Sequence, residues 1–512
     1  MNQLFINKRI FTVMNVSVVG AVIFLYHMGM MDNLATPVFG LLVMGLLGLA
    51  LYNPYIVFVL FVGTVPLEII DVSPDTFDII LRPYQLLGAI LFVAVIVRKI
   101  FGQAHSKFIE WNVFDTLIGI FVGLGFLSWF LVGDASLKQA IVVASFGFLY
   151  FVTRLFVKGR NDVLGLFPIF ISSGLVVSLY GIIQNILYKT GANHLEVMPG
   201  RPNATFTEPD WFGVYIVFLI ALTLAYLYYN TYHKHLWKFF DITLFGAAAI
   251  FFATLVITVA RSAWVGVATV VLFYGAILFF QKKYKLFAKH VFWVFGTGLL
   301  GVIIVFAFGL TTFELGNRLQ STSSGFQEIT VSCQCSGQTC LPTTTIIKDI
   351  SELEQYGCRH IDLEDVESEE AIGNTIVKVY RKDPTVVVRA EVYDKTITYI
   401  KQKPLTGYGW GSAGALLGQD QNGTPLNASN IFLEAMLSVG LLGVGVLISF
   451  FLFIIIYALK TLKKSTSMKE KTIAIFALLG VSAIIAPNLF NAGLLLGFVW
   501  VFFGVVAMMK KL

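Results

Sequence analysis

From Ile242 to Phe280 the chain runs for 39 residues with one charge, Arg261, in the otherwise apolar stretch TLVITVARSAWVGVATVVLF. At about 1.5 Å per residue, a single helix of that length would reach nearly twice the roughly 30 Å hydrocarbon core of a bilayer. The run therefore reads as two membrane crossings with Arg261 at their junction, near one face. There a guanidinium meets water or an anionic headgroup instead of lipid, so Arg261 is a candidate phosphate ligand.

The rest of the chain reads the same way. It is 57% hydrophobic and 13% charged, more apolar than a soluble core can use. Apolar stretches long enough to span recur at about fourteen places. Alternate connections between them collect 21 of the 36 basic residues, from Lys8 and Arg9 to Lys510 and Lys511, whereas the other short connections hold only Arg82, Lys138, Lys189, Arg201 and Arg261. By the positive-inside rule both termini are cytoplasmic. The expectation is an all-α polytopic membrane protein of the cytoplasmic membrane. Residues 1–310 supply transmembrane helices 1–11, residues 311–429 form one long extracytoplasmic loop lobe, and residues 430–512 supply helices 12–14. The first apolar run lacks a small-residue cleavage site and reads as a retained helix. The net charge of +6 is spread along cytoplasmic helix ends and needs no nucleic-acid partner.

All four cysteines, Cys333, Cys335, Cys340 and Cys358, fall in the lobe. Their placement on the oxidising side points to one or two disulfides, with pairing left open and a zinc site the weaker alternative. Residues 326–382 read as an accessory insert, and its acidic stretch from Ile361 to Glu370 as solvated surface. The segment Thr385–Val388 is either a strand or the start of the following helix.

Several outward features can carry chemistry. In RPNATFTEPDWF, residues 201–212, Arg201, Glu208 and Asp210 stand at the water interface before a helix. A carboxylate pair beside an arginine can position an acceptor hydroxyl or remove its proton; the plainer reading is a loop with Trp211 as an interfacial anchor. Arg389, Tyr393 and Ile400 share one face of an amphipathic helix. Gly409, Gly411 and Gly414 match GxGxxG without a surrounding parallel-strand unit, which disfavours a dinucleotide site and leaves a tight turn with amides toward a phosphate. His194 and His360 are both external and either could act as a base, although a lone loop histidine is more often polar surface. Ser429 and Asn430 open a helix with Glu434 in its first turn, and Gly440 and Gly443 suit close helix packing.

Four blocks together resemble the O-antigen ligase and polymerase family of bacterial cell-envelope glycan transferases. They are RPNATFTEPDWFGVY, ARSAWVG around Arg261, the Arg389 helix leading to PLTGYGWG, and Asn430 followed by Gly440-Leu-Leu-Gly443. The resemblance implies transfer of a saccharide from undecaprenyl diphosphate, at the outer face of the membrane, to a hydroxyl of a glycan, lipid or protein acceptor. It implies no nucleotide sugar, cofactor or metal. Arg261 and Arg389 would hold the diphosphate, since planar guanidinium groups bind phosphate bidentately. The chain departs from the family where Ser429 occupies the position of a family histidine linked to catalysis. A serine hydroxyl does not accept a proton at neutral pH, so Glu208 is the first candidate base, followed by Glu434 and Asp210. Arg201, Asp210, Ser429, Asn430 and Glu434 would contact substrate. Two other classes stay open: a transporter or flippase for polyprenyl-linked cargo, disfavoured by the scarcity of ionisable residues at mid-membrane, and a non-catalytic assembly protein acting through the lobe.

Overall fold

The computed structural model describes the chain apart from residues 1–7, 32–33, 75, 77–79, 103–108, 133–135, 199, 233–236, 311–314, 316–324, 335–345, 348–349, 362–365, 420–422, 424 and 512. It divides into two compact units, residues 1–312 with 399–512, and residues 313–398.

The larger unit is helical. In chain order it holds α1 (Lys8–His27), α2 (Thr36–Tyr52), α3 (Pro54–Thr64), α4 (Pro83–Ile100), α5 (Val113–Val132), α6 (Leu137–Phe156), α7 (Arg160–Lys189), α8 (Pro209–Thr231), α9 (Trp237–Thr258), α10 (Arg261–Phe280) and α11 (Tyr284–Ala307). Among the described residues ten helices are long and apolar enough to cross a membrane, and four further apolar helices are shorter. This is a multi-pass, helical membrane protein, in which each backbone bonds within its own helix because lipid offers no partners. Proline opens α2, α3, α4 and α8, where its missing N–H is not needed and its fixed φ suits the first turn. The central helix is α8, with 94% of its span buried, against 22% for α11. The large side chains that α11 leaves exposed, among them Phe292, Phe295 and Phe306, suit contact with lipid.

Two apolar stretches are interrupted where the sequence suggested continuous helix. After Thr64 the chain leaves α3 at Pro66, which has no N–H to extend the ladder, and the described residues from there to Arg82 form no helix. Near the C-terminus, residues 489–496 form a turn before the last apolar helix starts at Gly497.

Among its described residues the smaller unit holds a four-stranded sheet. It is built from β1 (Phe326–Cys333), β2 (Ile346–Ile347), β3 (Cys358–His360) and β4 (Thr375–Lys382) in the order β2-β4-β1-β3. β1 pairs antiparallel with β4 from Phe326↔Lys382 to Cys333↔Thr375, and with β3 where Cys333 faces Cys358. Those two cysteines form a disulfide; Cys335 and Cys340 lie outside the described residues. Ile329, Val331, Ile347, Leu353, Val377 and Val379 form the core.

The short helix α12 (Val366–Ala371) corrects one expectation. Its Glu369 is not solvated surface but buried, accepting from Ser332 Oγ at 2.6 Å, Asn374 Nδ2 at 2.8 Å and Arg359. The hydrogen bonds from Ser332 and Asn374, with Arg359 behind them, hold its carboxyl below the usual range. Thr385–Val388 are helical, as the start of α13 (Pro384–Gln402). The division between the units falls within α13. The chain then continues through α14 (Ser412–Leu417), α15 (Ile431–Lys464), α16 (Met468–Asn488) and α17 (Gly497–Val506).

Candidate functional site

The apolar run from Ile242 to Phe280 breaks at Arg261. α9 ends at Thr258, Val259 turns the chain at φ +49° and is buried, and Arg261 is the first, half-buried residue of α10. A β-branched residue in the left-handed region is strained. The turn frees the Thr258 carbonyl, which accepts from Arg201 Nε at 3.1 Å. Arg201 is buried. Its Nη2 stands 3.5 Å from Asp210 Oδ1 in the first turn of α8, and Nη1 contacts Met198 Sδ at 3.3 Å. α8 and α10 meet closely beside this group: a Cβ added at Gly213 would stand 2.8 Å from those of both Ala260 and Ala263. One hydrogen bond and one close helix contact thus bring Arg201, Asp210 and the Arg261 junction together.

Further bonds extend the same end of the helices. Asn491 Nδ2 donates to Ser262 Oγ at 2.8 Å, and Asn430 Nδ2 donates to Leu489 O at 3.0 Å, so the 489–496 turn ties the start of α15 to the start of α10. Asn430 also caps α15, its Oδ1 accepting from Phe432 N and Leu433 N. Ser429 precedes it at φ +48°. Glu434 Oε2 accepts from Ala428 N at 2.8 Å, clasping the approach to the helix. Glu208 is the half-buried N-cap residue of α8, and its side chain makes no capping bond.

Arg389 belongs to the smaller unit. It shares the more buried face of α13 with Val392, Tyr393, Thr396 and Ile400, as its spacing predicted.

The glycine pattern at 409–414 resolves differently from either reading. Gly440 does not pack inside a continuous helix; it breaks α15 with φ +67°. The carbonyls freed just before the break accept from the loop that follows α13, Leu437 O from Tyr408 N and Ser438 O from Gly409 N, each at 2.8 Å. These amides are therefore spent on the broken helix and not held out to a phosphate. The approach is close enough to exclude any Cβ, since one at Gly440 would lie 2.2 Å from Leu405 O. The histidines prove structural or peripheral: His194 Nδ1 accepts from Glu196 N at 3.1 Å, and His360 is exposed at the end of β3.

Two groups at this end were not singled out in the sequence. One is Glu68, buried between α3 and α4, which pairs with Arg82 Nε at 3.2 Å and accepts from Tyr84 OH at 2.8 Å and Gly497 N at 2.7 Å. The amides of Glu68 and Ile69 donate to Thr205 O, and Thr205 Oγ1 donates to Pro66 O, which fastens this segment to the Arg201 block. The other is Glu196, a shielded carboxyl in the same loop as Arg201. Nothing in the sequence set either apart from the other charges of its connection, Asp71, Asp75, Asp78 and Arg82 near Glu68, and Arg201, Glu208 and Asp210 near Glu196.

The class that the fold and this cluster define is a multi-pass helical membrane protein with a polar, arginine-centred group of side chains at one end of its helices. Residues 246–448 match the family model described as O-antigen ligase, so over that segment the chain is similar to that family, in agreement with the resemblance read from the sequence. The match takes in Arg261, Arg389, Ser429, Asn430 and Glu434, while the Arg201 block precedes it. No curated protein matches the chain.

Proposed function

We propose that this protein transfers a saccharide from undecaprenyl diphosphate to an acceptor hydroxyl, with the Arg201, Arg261 and Asn430 end of its helices facing outward from the cytoplasmic membrane and both termini in the cytoplasm. The observation that carries the reading is the bond from Arg201 to the carbonyl freed three residues before Arg261, together with the family match across Arg261. It brings two arginine-bearing segments to one place at a membrane-facing helix end, where a diphosphate on a lipid tail would be presented.

In this mechanism the acceptor oxygen attacks the anomeric carbon and the bond from that carbon to the diphosphate oxygen breaks. Arg261 stabilises the departing polyprenyl diphosphate by charge-assisted, bidentate hydrogen bonds as its negative charge develops. Glu208 accepts the acceptor's proton, a task that the Ser429 hydroxyl cannot perform. Arg201 and Asp210 position the acceptor. Asn430, Ser429 and Glu434 fix the start of α15 against the 489–496 turn and keep the cluster in place. The family resemblance assigns Arg389 to the diphosphate as well, and unchanged turnover in Arg389→Ala in the assay below would defeat that assignment.

The experiment is consumption of an undecaprenyl-diphosphate-linked oligosaccharide by the purified, membrane-reconstituted protein. Arg261→Lys is expected to lower turnover by roughly a hundredfold or more, because a point charge does not reproduce a planar fork. Full turnover in Arg261→Ala defeats the assigned role, and flipping of the donor without glycosidic bond formation would favour a transporter.

A further inference from the structure

The turn that presents Arg201 is held by a carboxyl that the mechanism above leaves unused. Glu196 lies between α7 and α8, and its side chain is fully shielded from solvent. Oε2 accepts from Gly200 N at 2.9 Å, whereas Oε1 is buried without a hydrogen-bond partner among the described residues. The same few residues close the rest of the turn. Arg201 N donates to Met198 O at 3.0 Å, and Val197 N donates to Asn203 Oδ1 at 3.2 Å. The turn begins from Leu195 at φ +51°, one of four strained non-glycine positions at this end with Ala204, Val259 and Ser429.

We propose that the uncharged carboxyl of Glu196 is a positioning group that fastens Glu196–Met198 to Gly200 and Arg201, and so sets the Arg201 guanidinium against Asp210 and Thr258. The functional half of this proposal rests on the transferase reading; the fastening itself does not.

The surroundings favour the uncharged form. A buried carboxylate with one oxygen unsatisfied is strongly penalised. One group able to carry positive charge stands close, His194, whose Nδ1 is 3.7 Å from Oε2. That nitrogen already accepts the Glu196 N–H, so it presents a lone pair and not a proton toward the turn. From α7, Gln184 meets Leu195 O at 3.4 Å and the Tyr188 ring stands edge-on to His194 at 5.2 Å, an amide and a phenol. The Arg201 guanidinium is directed to Thr258, Asp210 and Met198. Burial accordingly pushes the Glu196 carboxyl up to about 7, against the opposing pull of the Gly200 N–H. Because the folded value lies above the ordinary carboxyl value of 4.5, the fastened turn has its full stability below that ordinary value and loses it as pH rises through about 7.

Hydrogen–deuterium exchange of the full-length protein in lipid nanodiscs, corrected for the intrinsic rate, tests this at pH 6 and pH 8. Protection over residues 196–201 should fall about tenfold in the wild type, following the loss of the uncharged form. In Glu196→Gln, whose side-chain carbonyl still accepts the Gly200 N–H, protection should hold at both pH values; in Glu196→Ala it should be low at both. Consumption of an undecaprenyl-diphosphate-linked oligosaccharide should decline with the same midpoint in the wild type and lose that dependence in Glu196→Gln. Wild-type protection that is equal at both pH values overturns the proposal, as does a Glu196→Gln protein that switches like the wild type. Switching protection with transfer indifferent to it overturns the positioning role. Switching protection in a protein that transfers nothing at any pH supports the fastening and sinks the transferase reading instead.

Discussion

The two ends of the helical unit treat arginine in opposite ways. At the end where α5 begins and α6 finishes, Arg154 is 2% exposed and meets a fully buried Asp115 through Nε at 3.1 Å and Nη2 at 3.3 Å, while Tyr150 OH donates to the same carboxylate. Nη2 also donates to Glu110 O, and Asn112 accepts from the first amides of α5. At the other end Arg201 has its one carboxylate at 3.5 Å and leans on a carbonyl and a sulfur. Four of the five non-glycine residues with positive φ among the described residues lie there, each beside a polar group of the cluster. A charge matched by a short, many-bonded partner on regular backbone holds helices together. A charge left loosely matched on strained backbone is held ready for something else, since strain persists only where the surroundings enforce it.

If that contrast is correct, substitutions at the two ends should separate cleanly. The largest effect expected is on turnover in Arg201→Ala, roughly a hundredfold loss, with thermal unfolding little changed; equal losses of turnover and stability would break the contrast. Arg154→Ala should do the reverse, destabilising the fold by about 3 kcal/mol because it strands the buried Asp115 charge. Unfolding in detergent followed by intrinsic fluorescence measures it, and a wild-type midpoint would show that this end is no more structural than the other. Gly440→Ala comes next, expected to cost about 1 to 3 kcal/mol from positive φ and the encounter with Leu405 O. It should raise amide exchange at Tyr408 and Gly409, and unaltered exchange there would remove the broken helix as the support of that loop. Smallest is Asn430→Ala, about 1 kcal/mol for the lost helix cap, with Asn430→Asp recovering most of it. A wild-type Asn430→Ala protein would show that the 489–496 turn is held by Asn491 alone.

Much of the fold was legible because lipid imposes a one-dimensional rule: an apolar stretch must be helical, and its length limits it to one crossing. Arg261 could be placed at a helix start for that reason alone. Arg389 and Tyr393 could be put on one face from their spacing of four. The site was less legible. The fate of the 408–409 amides depended on Gly440 breaking α15 far away in sequence, and a glycine that packs and a glycine that breaks read alike. Glu369 looked like one of a run of surface acids, yet Ser332 and Arg359 from two strands claim it. Glu196 gave no signal because its importance comes from what shields it.

Hydropathy and charge alternation, both local properties of the chain, determined by themselves that this is a multi-pass helical membrane protein with Arg261 at a junction between two of its helices. Only the tertiary structure decided that Arg201 reaches the carbonyl at that junction, that Asn430 and Asn491 tie α15 and α10 to one turn, and that Glu196 is shut away from water. Burial and hydrogen bonding between distant segments are set by how helices pack, and packing is a property of the assembled bundle that no stretch of sequence carries alone.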